Sequence, residues 1–567
     1  MSITPAEVGA VEIEFGIVLG VLTVAAATVA AARLRIAGPL LLVVLGGAAS
    51  LVPGMPAVSV PPEVLLTAVL PPLLYSSAAA MPAMDFRREF RPVSGFAVVL
   101  VVATSVVLGL FFSAVLPGVG FGWGLALGAI LSPTDAVATA IVRRLGAPER
   151  VVAVLEGEGL LNDATALVLL RAAVVGAGAT LSVWGVVGDF ALAVAIAVVV
   201  GVVVALLVVM VRAKVTDAYV SSLVSFTTPF LAALPAEAMG ASGLVAAVVA
   251  GLVTGHHSPR VLPPLHRVVD AQNWRTVEVL GEGSLFLLMG LQLEHLLADV
   301  HGDRTAIGTL TLAVVGAWVL TVAVRAAYTA PVLALLHRRS TRVGAMRPRL
   351  ADFQGRLDDP ASLGGRWERR PPTSRRLDQV RTRLRRSLAD IDHLLARPLG
   401  VREGTVVVWA GMRGAVTVAA AQTLPETTPQ RSVLVLIAFL VAATSLLVQG
   451  GLLPVVVRRV LRPAPEGSTV DDEAAVEERR ALLDLMTRAA DAVPEPPDDP
   501  AREQRDGGKA HGLAVYEAQR RALLDARDDG LFSAAALSTA LDAVDVAQIG
   551  LEMRGGPVTP EGADPPS

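Results

Sequence analysis

The 567-residue chain contains no cysteine, which excludes a disulfide framework, a thiolate metal centre and a cysteine nucleophile and leaves the redox compartment unreadable. Charge is thin over most of its length: Asp, Glu, Lys and Arg make up 17% of residues, and the dense charge lies in two late blocks. The formal net charge of −3 averages segments of opposite sign, so no nucleic-acid partner is implied. Residues 1–10 lack a basic n-region, and Glu7, Glu12 and Glu14 precede or open the first apolar run; a cleaved signal peptide is not expected. No HExxH occurs, and neither GEG nor GMRG brings a nucleophile to a base, so an enzyme is not expected. No cofactor motif is found either.

What the chain does have is apolar sequence, 53% hydrophobic with a mean hydropathy of +0.60, far above a soluble globular domain. At about 20 apolar residues per crossing, thirteen spans are expected, near 12–32, 37–53, 62–80, 93–117, 121–143, 150–177, 183–211, 215–235, 240–256, 275–297, 307–335, 402–424 and 432–459. The connections alternate in basic charge as cytoplasmic and outer loops should. Arg33 and Arg35, Arg87, Arg88 and Arg91, Arg143 and Arg144, Arg212 and Lys214, and Arg260 and Arg267 follow odd-numbered spans, and the even ones are followed by almost none beyond Arg304 and Arg431. This places the N-terminus outside and the C-terminus in the cytoplasm. The expected organisation is an all-α membrane domain over 1–461, with an Arg-rich cytoplasmic loop at 337–402, and a helical cytoplasmic tail over 462–567.

Two spans are interrupted. LSPTDAVA (131–138) carries Pro133, which removes a backbone donor and disfavours helix at Ser132, with Asp135 close behind. VVWAGMRGAVTVAA (407–420) carries Gly411 and Gly414 around Arg413. Seven spans apart, the two run in opposite directions, and broken helices at matching places in inverted halves mark a transporter site near the midplane.

The third charged span is VLEGEGLLNDATALVLL (154–170). At 100° per residue, Glu158, Gly159, Asn162 and Asp163 share an arc of about 140°. Asp163 lies roughly 20 Å into the span, where a bare carboxylate is costly. It is stable there with a proton or with a bound cation, and not empty. Asp135 and carbonyls freed at Pro133 add oxygens of the kind that replace a hydration shell. Arg413 needs a counter-charge, for which Glu158 is the favoured candidate in a structural ion pair. The alternative is that Glu156 or Glu158 lines a wet inner funnel.

The chain resembles the cation:proton antiporter-1 family, the sodium/proton exchangers, through LPPLLYSSAAAM (70–81), SPTDAVA (132–138), LEGEGLLNDATAL (155–167), SGLVAAVVAGLVTG (242–255), FLLMGLQL (286–293) and WAGMRGAV (409–416). The resemblance implies an inverted-repeat fold, a homodimer, and a core domain that carries the ion by moving against a dimerisation domain in the plasma membrane. It implies Asp163 as the carboxylate shared by cation and proton, Asn162 bracing the broken segment, and Thr134, through its carbonyl, and Asp135 as further ligands of the transported Na+. Glu158 is the acid implied for Arg413. Asn-Asp at 162–163 implies one cation per proton. Where many members carry Ser, this chain has Gly159, so a hydroxyl ligand is lost. A K+- or Li+-preferring exchanger of the same fold is the near alternative, and a cation channel the distant one.

In the loop, SRRLDQVRTRLRRSLADIDHLLARP (374–398) sets Leu377, Val380, Leu384, Leu388, Ile391 and Leu395 on one helical stripe. It either lies on the anionic inner leaflet or packs against the tail. Residues 472–493 and 513–553 read as helices, separated by PEPPDDP (494–500). His511 is expected to be solvated, and GGPVTPEGADPPS at the end disordered.

Overall fold

The computed structural model describes residues 5–34, 36–53, 61, 64–177, 183–300, 307–358, 374–396, 399–461, 469–494 and 507–554. Over these residues it is helical, with no strand. The final segment from 555 and most of PEPPDDP lie outside the described residues.

In chain order the helices are α1 (Pro5–Leu34), α2 (Gly38–Ser50), α3 (Leu65–Ala80), α4 (Ala83–Val115), α5 (Phe121–Leu131), α6 (Ala136–Arg144), α7 (Glu149–Gly176), α8 (Val183–Arg212), α9 (Ala218–Ala238) and α10 (Gly243–Val261). They continue with α11 (Pro264–Leu291), α12 (Leu293–Val300), α13 (Ile307–Asp358), α14 (Ser374–Ala396), α15 (Val401–Trp409), α16 (Ala415–Gln422) and α17 (Arg431–Val460), and then α18 (Thr469–Asp491), α19 (Gly507–Asp529) and α20 (Ala534–Met553). Nine helices among the described residues are long and apolar enough to cross a membrane. The other expected spans coincide with helices that are short (α2, α3), interrupted (α15 and α16) or more polar (α10, α11).

Prolines shape several of these rods from within. Pro71 and Pro72 withhold the N–H groups that the carbonyls of Thr67 and Ala68 would accept in a regular helix, and a π turn occupies Leu65–Val69. Pro454 does the same to Gly450, behind a second π turn at Leu446–Gly450. Widening one turn re-routes the carbonyls without breaking the helix.

The helices sort into two packed groups. α4, α5, α7, α13, α15, α16 and α17 pack on one another; α1, α2 and α11, together with α3, α8, α9 and α10, form the other set. Close approach within each depends on glycine. A Cβ at Gly128 would run into the Ser105 backbone, at Gly46 into the Leu287–Leu291 backbone, and at Gly251 into the Tyr75 carbonyl. Small residues let apolar helices approach backbone to backbone where the hydrophobic effect gives no help.

Helix α13 runs for 52 residues, about 78 Å at 1.5 Å per residue, more than twice a hydrocarbon core. The Arg-rich segment after 336 therefore begins as a continuation of this helix. Its partner α14 packs back along it: Leu384 and Ile391 are buried, and Arg381 donates to the Leu357 carbonyl at 2.7 Å. Arg386 meets Asp529 of α19 and Arg88 of α4 meets Asp390. The stripe, expected on the leaflet or against the tail, packs chiefly on α13 and meets the tail at Arg386–Asp529.

The tail has its own small core of Leu482, Leu523, Leu524, Leu537, Leu541 and Val544, joined by Met84 from the start of α4. α20 is apolar enough to be counted among the nine, yet it is spent on this core and on α11. Ser533 caps it, and Glu478 of α18 accepts from the Ser533 N–H at 2.6 Å. The tail touches both groups. Arg260 pairs with Asp525 and Asp528, Arg267 and Arg520 converge on buried Asp545, and Arg88 donates to the Gly530 carbonyl at 2.9 Å.

Asp545 thus serves two arginines at once. Asp545→Asn leaves both short of charge and should loosen α20 by about 3 kcal/mol, the cost of breaking a buried pair. Hydrogen exchange over residues 534–553 is the measurement, with faster exchange there and no change in α5 or α7 as the expected outcome.

Candidate ion-binding site

The site is built on two helix breaks that face each other. α5 stops at Leu131, and Ser132, Pro133 and Thr134 lead to Asp135, which caps α6 by accepting from the Val137 N–H at 2.8 Å. α15 stops at Trp409, and the chain is non-helical from Gly411 to Gly414 before α16 begins. The breaks are joined directly, the Asp135 N–H donating to the Met412 carbonyl at 2.8 Å. Gly414 has to be glycine, because a Cβ there would coincide with the Asp135 carboxylate.

Arg413, only 3% exposed, lies across this junction. Its Nε donates to the Leu131 carbonyl at 2.7 Å, Nη1 to the Gly411 carbonyl and Nη2 to the Ser132 carbonyl at 3.5 Å. These are the carbonyls at the C-terminal ends of α5 and α15, where orphan acceptors and the negative ends of two helix dipoles meet. Ser445 of α17 accepts from the Arg413 N–H at 3.0 Å, and its hydroxyl is bonded to Gln449.

The expected Glu158–Arg413 pair is corrected by this geometry. Glu158, 1% exposed, is held by Arg325 of α13: Nη1 donates to Oε1 and Nη2 to Oε2, the latter at 2.7 Å. Arg325 also donates from Nε to the Val407 carbonyl at 2.8 Å and lies 5.6 Å from the Phe96 ring centroid. Arg413 is already committed to carbonyls, and the bidentate fork of Arg325 satisfies both Glu158 oxygens. Glu158 accepts one more bond, from the Thr134 hydroxyl at 3.2 Å.

Asn162 joins α7 to the first break. Its amide donates to the Thr134 hydroxyl at 2.8 Å and to the Thr134 carbonyl at 3.5 Å, while its Oδ1 is buried without a partner among the described residues. Asp163, one residue on, is 7% exposed and has no hydrogen-bond or ion-pair partner among the described residues. It lines a cavity of about 270 Å³ together with Pro133, Thr134, Asp135, Gly159 and Gly414. At Gly159 nothing lies within 4 Å of where a Cβ would stand.

Residues of the second helix group close the cavity. Glu278 and Glu282 of α11 line it, as do Glu156 and Arg143, which pair with each other. Neither Glu278 nor Glu282 figured in the sequence-based site, nor did Arg325. Each carries a readable signal: an arginine inside an apolar run, and two glutamates one helical turn apart. Among the described residues no three His, Asp or Glu side chains are gathered as a metal cage. The carboxylates instead share a chamber with room for water.

The chain matches the family described as sodium/hydrogen exchanger, transmembrane, over residues 18–459. It is 28% identical over 500 residues to an uncharacterized Na+/H+ exchanger of Mycobacterium tuberculosis, covering 85% of this chain and 82% of that one. A low-affinity Na+/H+ antiporter of Synechocystis is 25% identical over 416 residues, 72% of this chain and 67% of that one. A sodium, potassium, lithium and rubidium/H+ antiporter of Bacillus subtilis is 27% identical over 265 residues, 44% of this chain and 38% of that one. The sodium proton antiporter MjNhaP1 of Methanocaldococcus jannaschii has the same fold at 16% identity, with a TM-score of 0.54 covering 80% of this chain and 100% of that one.

Neutralising either member of the Glu158–Arg325 pair should destabilise the protein by about 3–5 kcal/mol, because the other charge stays buried and alone. The double change Glu158→Gln with Arg325→Met should recover most of that loss, and Glu158→Gln with Arg413→Met should not. Thermal melting of the detergent-solubilised single and double variants checks this.

Proposed function

The chain belongs to the sodium/hydrogen exchanger family, and we propose that it is an electroneutral antiporter, exchanging one monovalent cation, Na+ in the first instance, for one proton at Asp163. The observation that carries the reading is the state of that carboxylate. Among the charged groups described at the crossing it is the one with no partner among the described residues, 7% exposed on the wall of a chamber that also presents Asp135 and the Thr134 oxygens. A bare carboxylate at this depth is too costly to persist, so proton and cation compete for it. Asp135 and the Thr134 carbonyl supply further oxygens to the cation, and Asn162 braces Thr134 from behind.

The division into two helix groups supports alternating access. The group that contains both breaks and α7 holds the whole of the Asp163–Asp135–Thr134 set, so it can carry the set as a body past the group formed by α1–α3 and α8–α11. Only an occupied Asp163 is neutral enough to cross the apolar seam, which couples the two fluxes. In this reading the chain crosses the plasma membrane thirteen times in two inverted halves, with the N-terminus outside, the tail cytoplasmic and a second copy completing a homodimer.

A broader cation choice, K+ or Li+ beside Na+, is favoured by one feature. Gly159 leaves open space where a side-chain hydroxyl would tighten the shell, and the Bacillus relative is named for four alkali cations. Neither reading is a channel, since a neutral exchange moves no net charge.

Two outcomes are expected from sealed proteoliposomes. Asp163→Asn should abolish cation-driven dequenching of a pH dye while leaving the melting temperature within a few degrees of wild type. In the wild type, NaCl, LiCl and KCl should each dissipate an imposed pH gradient without current when the potential is clamped by an ionophore. Residual exchange in Asp163→Asn, or a current under clamp, overturns the reading.

A further inference from the structure

The mechanism above uses the carboxylates of one helix group and leaves two on the other unexplained. Glu278 and Glu282 are one turn apart on α11 and line the same chamber as Asp163 and Asp135. Glu282 is partly buried and stands on the chamber wall, away from either end of α11 (Pro264–Leu291). No hydrogen bond or ion pair to Glu282 is present among the described residues, and the charges that act on it are themselves acidic, Asp135 and Glu278. The chamber's charged lining is completed by Arg143 and Glu156, which neutralise each other. Arg275 on α11 and Arg143 both act on Glu278, one turn further out. Among the described residues Glu282 caps no helix and answers no arginine.

Resting on the antiport reading of Asp163, we propose that Glu282 is a relay carboxylate, which holds the incoming cation on the fixed wall of the chamber and hands it to Asp163 and Asp135 on the moving wall. Glu278 forms the outer step of the same path. The two walls belong to different helix groups, so Glu282 can serve the site only while the chamber is open on this side, and it stays behind when the loaded group moves. A station that is left behind should bind loosely. The lack of any metal cage among the described residues fits this, because a transported ion must be attracted strongly enough to enter and weakly enough to leave. The open space at Gly159 works in the same direction: with no hydroxyl from α7 to complete a shell, the ion keeps some water and depends on the summed negative charge of the chamber.

Removing one unit charge several ångströms from the ion should weaken its capture about tenfold. Glu282→Gln and Glu282→Asp, with Asp163→Asn alongside, would be reconstituted and their exchange measured against NaCl concentration at one pH. The expected result is an apparent KM raised about tenfold for Glu282→Gln with Vmax within about twofold of wild type, and a KM close to wild type for Glu282→Asp, which keeps the charge. A wild-type KM in Glu282→Gln, or a fall in Vmax with KM unchanged, overturns the relay. If Glu282→Gln does not fold, a raised melting midpoint in Glu282→Asp with NaCl, equal to that of wild type, supports it and the loss of that shift overturns it. Activity surviving in Asp163→Asn marks failure of the antiport reading itself, which the Glu282 variants do not touch.

Discussion

Backbone groups in hydrocarbon must find partners, and at the centre of this molecule two helices are left open. Each unsatisfied group there would cost several kcal/mol, so the crossing exists only because its loose ends are tied to each other. The Asp135 N–H bonds the Met412 carbonyl, and Arg413 gathers the carbonyls that α5 and α15 leave behind. Gly414 makes room for the Asp135 carboxylate to reach its cap. Everything charged nearby takes its place relative to that knot.

Three kinds of charge can then be separated by what each touches. Arg413 faces carbonyl dipoles and stabilises the break. Glu158 and Arg325 face each other in full, with Thr134 and Val407 as secondary partners, and fasten α7 to α13 across the same group. Asp163 faces the chamber and is left without a partner among the described residues. A group that is fully satisfied cannot bind a passing ion without first losing something; a group that is satisfied by nothing else can. This is a stronger ground for assigning Asp163 than its depth, which Glu158 shares.

Much of the crossing is legible in the sequence. Pro133, Gly411 and Gly414 act on the backbone locally, so their consequences are visible without knowing any neighbour, and the polar arc on 154–170 follows from helical periodicity alone. Pairing is not legible in the same way. Hydropathy sets the depth of a residue within its span but not which spans touch, and Glu158 has two arginines at comparable depth. Arg325 escapes notice because its span looks otherwise ordinary. Glu282 escapes for a different reason. Hydropathy places the start of its span near 275, which sets the residue close to water, and only the fold shows that it faces the same chamber as Asp163. The Arg-rich stripe of α14 shows the limit from the other side: amphipathicity states that one face is covered, and only the fold says that α13 covers it.

The position of the tail extends the same logic to motion. If the group holding the crossing slides past the other, any element bonded to both must stretch, release or set the limits of travel. α19 and α20 are bonded to both: Arg260 and Arg267 belong to the α10–α11 side, whereas Arg88 and Met84 belong to α4. Among the described residues the tail meets the crossing's group through the Arg88–Gly530 carbonyl bond, Met84 in its apolar cluster and, by way of α14 packed on α13, the Arg386–Asp529 pair, and it meets α10 and α11 through the ion pairs of Arg260 and Arg267. Ion pairs thus tie the tail on both sides, and sliding would load both sets. A strap attached to both groups can bias the equilibrium between two positions by only as much as its contacts differ between them.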